Sequence, residues 1–388
     1  MAPITYAAPY SGQPMMQPAG VYPAQSIVMP GQPAPGQVMY SQPPQVMYAQ
    51  PQPAMYMQPG QPIMAGNGFG QPGMVVAGSR PKPVPHTVKG STNKIVADGP
   101  DVKRSGNVHM IICGIDYSCC APPWGGAHAL DTKPAFDFMT ALADQSGVAS
   151  KMTLWNHECT KQNIAGALRS MGQRLRPGDT FVFYYTGHGD SLPDQTSGPD
   201  KDEESGMDQA LCTLGPDGQA EPRAQVWTRD DDLSRMMVQF IPKFTKILIL
   251  ADCCHSGTIM DMAKEQWAGY QAISLAGCTD TQTSAGTGHG GQFSRAITAS
   301  IEALQKSSKL DCGVSRMYNC ILDEYQKRKT ASHTQNITIH GTGILPKDFA
   351  WPLVPSGPYV SPVNAGSSQP RSTTPAYVDI GFKAASRR

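Results

Sequence analysis

Hydrophobic positions follow two alternating patterns through the middle of the chain. Short continuous apolar runs at 108–115, 151–155, 180–185, 246–251 and 270–275 are bounded by glycine and polar residues. Runs of this kind read as strands buried on both faces. Between them apolar residues recur at helical spacing over 132–144, 161–175, 230–240, 293–304 and 314–329, and 337–340 reads as a last strand. The segment 230–240 opens with three aspartates, which suit the positive end of a helix dipole. Strand and helix in alternation predict an α/β sandwich with a mainly parallel central sheet.

Two of the apolar runs end in loops rich in chemistry. The first runs into Thr186-Gly187-His188-Gly189-Asp190, the second into Asp252-Cys253-Cys254-His255-Ser256-Gly257. Open parallel sheets carry their chemistry outside the carboxyl ends of the strands, so both loops belong to one sheet edge. A thiol is nucleophilic as thiolate, and an imidazole is a common means of forming one near neutral pH, so the pattern predicts a Cys/His hydrolase. Successive side chains leaving a strand point to opposite sides, so only one of Cys253 and Cys254 can face His188. His289 is a weaker rival to His188 as the base, His255 should point away and reads as structural, and backbone N–H groups of Gly189 and Cys254 are candidates for the oxyanion site.

Composition sets the two ends of the chain apart from the folded middle. Residues 1–85 are rich in Pro, Gln, Met, Tyr and Gly, with loose repeats such as QVMYSQPP and QVMYAQPQP. They hold too few branched apolar residues to offset chain entropy, and are expected to stay disordered or partly polyproline-like. Residues 86–106 read as a linker and 356–388 as a second disordered tail. A net charge of +1 argues against nucleic-acid or membrane binding by charge. No apolar stretch of membrane-spanning length and no signal-peptide pattern appear, and a cytoplasmic monomer is expected. The ten cysteines follow neither a zinc-site spacing nor a secreted disulfide framework.

The segments YYTGHGD and DCCHSG, with ICGIDY at 112–117 and SLAGCTDTQTSA at 274–285, resemble the metacaspases, a family of caspase-like cysteine peptidases. The resemblance runs in the family's order over about 107–355 and implies a caspase-like fold. It divides that region into a large-subunit part at 107–262 and a small-subunit part at 263–355. The short join and the Pro-rich leader are similar to the type I members. The same resemblance implies that Cys254, the second of the pair, is the nucleophile and His188 the base; no acidic third member is evident in the sequence, so a dyad is expected. Cys253 then stands in the place of a small neighbour, with a redox role as its alternative.

What the family implies further is cleavage of protein substrates after Arg or Lys, which requires an acidic pocket because a cation is buried cheaply only against carboxylates. Asp252 matches the pocket acid and Asp131 the second acid, although Ala127-His128-Ala129-Leu130 replace the usual residues before it. Thr186 stands where a pocket serine is usual. The resemblance also implies activation by calcium, for which Asp208, Asp230, Asp231 and Asp261 are candidate ligands; helix-terminal acids and a solvated acidic loop at 200–204 are the plainer reading of such carboxylates. Self-cleavage is expected at exposed basic residues, with Arg80, Lys82, Lys103, Arg104 and Lys264 as candidates. Two other functions compete: a non-proteolytic scaffold acting through the Pro-rich tail, and another cysteine-dependent hydrolase or transferase on an α/β sheet.

Overall fold

A computed structural model describes residues 94–95, 98–195, 206–279, 291–329 and 335–360. The Pro-rich leader, Arg80, Lys82, the acidic loop at 200–204, His289 and the residues beyond 360 lie outside the described residues.

Strands β1 (Val108–Gly114), β2 (Ser150–Trp155) and β3 (Thr180–Thr186) come first, separated by helices α1 (Lys133–Gln145) and α2 (Lys161–Gly172). A small antiparallel sheet follows, made of β4 (Gly189–Pro193), β5 (Met207–Leu211) and β6 (Thr228–Arg229), with the short α3 (Arg223–Val226) before β6. Then come α4 (Asp230–Phe240), β7 (Lys246–Asp252), β8 (Gln271–Ala276), α5 (Gln292–Lys306), α6 (Val314–Arg328) and β9 (Thr338–Thr342). The main sheet has the order β2-β1-β3-β7-β8-β9, parallel except for β9 against β8. This is the α/β arrangement expected from the alternating pattern, and it is the caspase-like one that the resemblance implies. Among the described residues no helix is long and apolar enough to cross a membrane.

Every residue of β1 and β3 is buried, because helices cover both sheet faces. On one face Phe181, Phe183, Tyr185, Ile247 and Ile249 pack with Ile164, Leu168 and Met171 of α2 and Leu233 and Met237 of α4. On the other, Val182, Tyr184, Leu248 and Leu250 pack with α1, α5 and α6. Helix α5 shows the cause in its sequence: Phe293, Ala296, Ile297, Ile301 and Leu304 recur every three or four residues and are all buried. Each such large side chain contributes about 1.5–3 kcal/mol by leaving water.

Helix α2 ends at Gly172, short of the predicted 175, and the Phe240 carbonyl approaches Gly172 so closely that no side chain fits there. At the amino edge of the sheet Asp179 joins β1 to β3. Burial pushes its carboxyl pKa up, but N–H groups of Asn107 and Arg176, with His109, outweigh this and hold it below the usual value.

Candidate active site

Register places the two reactive loops side by side. In the parallel pair β3 and β7, Thr186 is the partner of Asp252. His188 and Cys254 therefore each lie two residues beyond paired positions on adjacent strands, at the carboxyl edge of the sheet. The loops touch through their backbones. A side chain at Gly189 would come to 2.0 Å from the Cys254 carbonyl oxygen and 3.1 Å from Cys253 Sγ. Glycine is required there by the close approach.

Both cysteines are buried, with Cys253 1% and Cys254 5% exposed. Cys253 belongs to the core on the α2 and α4 face. Its thiol pKa is pushed well up, by burial first and then by Cys278 and Cys254 nearby. Cys278 Sγ donates to the Cys253 carbonyl at 3.0 Å, so the three thiols form one cluster at the ends of β7 and β8. His255 is partly buried and has a left-handed φ of +49°.

His188 is held from several directions. Its Nε2 lies 2.8 Å from the His128 carbonyl oxygen. A carbonyl only accepts, so Nε2 carries the proton and Nδ1 is left as the basic nitrogen. Burial, foremost, and the neighbouring His128 lower the imidazole pKa to about 4, so the ring is neutral at pH 7. The main-chain N–H of His188 donates to Tyr117 Oη at 2.9 Å, and Tyr185 Oη donates to the His188 carbonyl at 2.9 Å. The rings of Tyr117 and Trp124 lie 4.9 and 5.6 Å from the imidazole. The sequence reading missed both tyrosines, which lie apart from the histidine in sequence or at strand positions that read as plain core.

Gly189 opens β4, an edge strand paired with β5. The Cys212 N–H donates to the His188 carbonyl at 3.1 Å, which puts Gly189 at a non-hydrogen-bonded register position with its N–H directed away from β5.

Two of the three predicted pocket residues lie at the strand ends on the face covered by α1 and α5. Thr186 and Asp252 are adjacent and buried. The Asp252 carboxylate accepts from the Ser294 N–H at 3.1 Å and the Ser294 hydroxyl at 2.5 Å, and Tyr184 Oη lies 2.7 Å from that hydroxyl. It therefore sits on the amino end of α5. Gly291, just before the helix, presses so closely that a side chain would meet the carboxylate at 2.2 Å. Asp131 is exposed, in the loop fixed to the end of β1 by the bond from Thr132 Oγ1 to the Ile115 carbonyl.

The predicted cation ligands form a second centre. Asp208, Asp230 and Asp231 are buried, with one carboxylate oxygen from each lying within 4.8 Å of the others. Burial, and then the charge of Asp261, push the Asp230 carboxyl up to about 9. Asp208 Oδ1 is buried without a hydrogen bond. Two cations that the sequence reading had not placed there face the cluster: Arg229 pairs with Asp208, and Lys264 Nζ lies 2.5 Å from Asp231 and 2.9 Å from Asp261. An all-oxygen set with an unsatisfied buried oxygen at Asp208 fits a hard divalent cation.

A cysteine and a histidine thus reach one edge of the sheet from adjacent parallel strands, an arrangement open to Cys/His chemistry. Residues 112–263 match the model of the metacaspase peptidase C14 domain, so this segment is similar to the metacaspases. It is 29% identical to metacaspase-1 of Arabidopsis thaliana over 214 residues, 47% of this chain and 54% of that protein. It is 27% identical to metacaspase-2 of the same plant, over 44% of this chain and 45% of the relative. Metacaspase-5 of Trypanosoma brucei brucei is 24% identical over 52% of this chain and 43% of its own length. The matches thus span about half the length of these relatives. A solved structure from Geobacter sulfurreducens is 19% identical with a TM-score of 0.47, covering 63% of this chain and 97% of the other.

Proposed function

We propose that the protein is a calcium-dependent cysteine endopeptidase that cleaves after Arg or Lys through Cys254 and His188. The observation that carries this reading is the pairing of Thr186 with Asp252, which brings both loops to one edge, with His188 Nε2–H anchored and Nδ1 left basic. Cys254 Sγ attacks the scissile carbonyl carbon while its proton passes to His188 Nδ1. At pH 7 the imidazole is neutral and can accept that proton. The negative oxygen is received by N–H groups of Gly189 and Cys254. Collapse breaks the C–N bond, and the amine leaves with the proton from His188. Water then attacks the thioester with His188 again as base, releasing the acid and restoring the thiol.

Asp252, with Thr186 beside it and Asp131 at the rim, supplies the negative charge that binds the substrate's cation. Asp208, Asp230, Asp231 and Asp261 would hold calcium. When bound, the ion supplies the charge that neutralises these carboxylates and ties the segment after the nucleophile to α4. The substrates are proteins, and the working state is a cytoplasmic monomer.

Fluorogenic peptides ending in Arg, Lys or Asp, with calcium or chelator, test the reading in wild type, Cys254→Ala and His188→Ala. Expected is calcium-dependent Arg and Lys cleavage that both variants lose by at least about a thousandfold, as loss of a nucleophile or its base requires. Cleavage only after Asp would overturn the pocket assignment. Activity retained in Cys254→Ala would overturn the nucleophile.

A further inference from the structure

The segment 116–118 carries an unusual backbone. Tyr117 has a φ of +64°, a left-handed conformation costly for an aromatic residue. The surrounding bonds hold it there: Asp116 N–H to Asn156 Oδ1, Leu130 N–H to the Asp116 carbonyl, and Cys120 N–H to the Tyr117 carbonyl. The result of that conformation is a phenol placed behind His188. Its oxygen accepts from the His188 N–H and its proton goes to the Cys212 carbonyl at 2.9 Å. Tyr185 takes the other backbone group of the same residue. The two hydroxyls close around Gly187, where a side chain would lie 2.6 Å from Tyr185 Oη and 3.3 Å from Tyr117 Oη.

We propose that Tyr117 and Tyr185 form a clamp that positions His188 for proton transfer from Cys254. The inference rests on the Cys/His reading above. Neither phenol touches the reacting atoms; both act by fixing the main chain that carries the imidazole, with the Tyr117 ring packed against it. Tyr117→Phe keeps ring and backbone but leaves a buried N–H and a buried carbonyl without partners.

The test is the pH dependence of Cys254 alkylation by iodoacetamide, with kcat and KM for an Arg peptide alongside. Tyr117→Phe is expected to slow alkylation at pH 7 about tenfold, toward the rate of His188→Ala. The difference should vanish near pH 10, where the thiolate forms without a base. In the double variant with His188→Ala no further loss is expected, and peptide cleavage should lose kcat with KM little changed. A variant with lower Tm but an unchanged alkylation profile would overturn the clamp. If Tyr117→Phe does not fold, Tyr185→Phe must show the same loss at pH 7 and recovery at pH 10, or the clamp is wrong. Wild type and His188→Ala with the same profile would overturn the dyad reading and the clamp with it.

A separate observation carries a second inference. Lys264 follows Asp261, a residue with φ +41°, in the stretch after the nucleophile loop, and its ammonium lies against both Asp231 and Asp261. We infer that Lys264 is a tethered competitor for the cation at this cluster, so that a divalent ion taking these two carboxylates must displace it. This rests on the cation reading of the cluster. Calcium titration by calorimetry on Cys254→Ala protein is the test, comparing Lys264→Gln with Lys309→Gln as a charge-matched control at an exposed site.

Lys264→Gln is expected to bind calcium at least tenfold more tightly, and the control to match its parent. Equal or weaker binding by Lys264→Gln overturns the competition. Absence of binding in the parent and in Lys264→Gln overturns the cation reading itself. In the parent protein calcium should also raise acetylation of Lys264 several-fold by mass spectrometry, and unchanged labelling at saturating calcium would count against displacement even if the variant does not fold.

Discussion

At Gly189 a single hydrogen in place of a methyl group lets the histidine loop rest on the cysteine loop. A Cβ there would overlap the Cys254 carbonyl, and overpacking of this kind costs about 1–3 kcal/mol. Gly189→Ala is therefore expected to lose activity by a hundredfold or more while remaining folded, measured as kcat/KM beside a denaturation curve. His188 makes a prediction of opposite character, about stability. Its folded pKa of about 4 lies below the ordinary histidine value. Between those values the unfolded chain binds a proton that the folded chain does not, so stability falls as pH drops through this window. From pH 7 to pH 5 the loss from this residue amounts to about 2 kcal/mol. Urea denaturation of wild type and His188→Gln at both pH values measures it: the wild type should lose more by about that amount, and equal losses would show that the imidazole is not held neutral by burial.

The amino end of α5 joins catalysis to architecture through one carboxylate. Asp252 leaves β7 and receives both the N–H and the hydroxyl of Ser294, so the acid proposed for the substrate pocket also caps a helix. The two roles separate by mutation. Asp252→Asn should lose Arg and Lys cleavage by a hundredfold or more, yet cost only about 1 kcal/mol in stability, since its amide oxygen still accepts at the helix end. Ser294→Ala should cost a similar amount of stability but leave the preference for Arg over Asp peptides intact. If Ser294→Ala abolishes that preference, Asp252 acts only through its cap. The elements on which these residues sit were largely legible in the sequence: continuous apolar runs marked β1, β3 and β7, and helical spacing marked α4, α5 and α6 to within a residue or two. The β4–β5–β6 sheet was not, because Gly189–Pro193 and Met207–Leu211 are short, polar in part and lack clean alternation. For the same reason, contacts made across long sequence separations, such as Tyr117 to His188 or Arg229 to Asp208, leave no local pattern to read.

On the scale of the whole molecule, the stretch that composition marked as linker is in part a strap. Asn319 of α6 exchanges two hydrogen bonds with the Ile95 backbone, at 2.9 and 3.0 Å, and Arg316 binds Asp101 at 2.5 Å and the Gly99 carbonyl at 3.0 Å. Arg104 donates to the carbonyls of Ser146 at 2.9 Å and Pro352 at 3.2 Å, tying the strap to the end of α1 and to the segment after β9. The start of the second tail is docked too, through Ser356 N–H to the Gln145 carbonyl and Tyr359 N–H to Gln305. A protease must draw several residues around a scissile bond into extended form, so a basic residue whose side chain is engaged is cut only after local release. Lys103 and Arg104 stand side by side in the strap, and only the Arg104 guanidinium is bonded to the two carbonyls. Limited trypsin digestion of Cys254→Ala protein, followed by mass spectrometry, is therefore expected to cut after Lys103 before Arg104. Asn319→Ala combined with Arg316→Ala removes the hydrogen bonds to 95, 98, 99 and 101 and, at about 1 kcal/mol for each net bond lost, should speed both cuts by tenfold or more. Cutting after Arg104 at an equal rate in parent and double variant would mean that the strap opens without these contacts, and that processing in this stretch is governed by exposure of the bond alone.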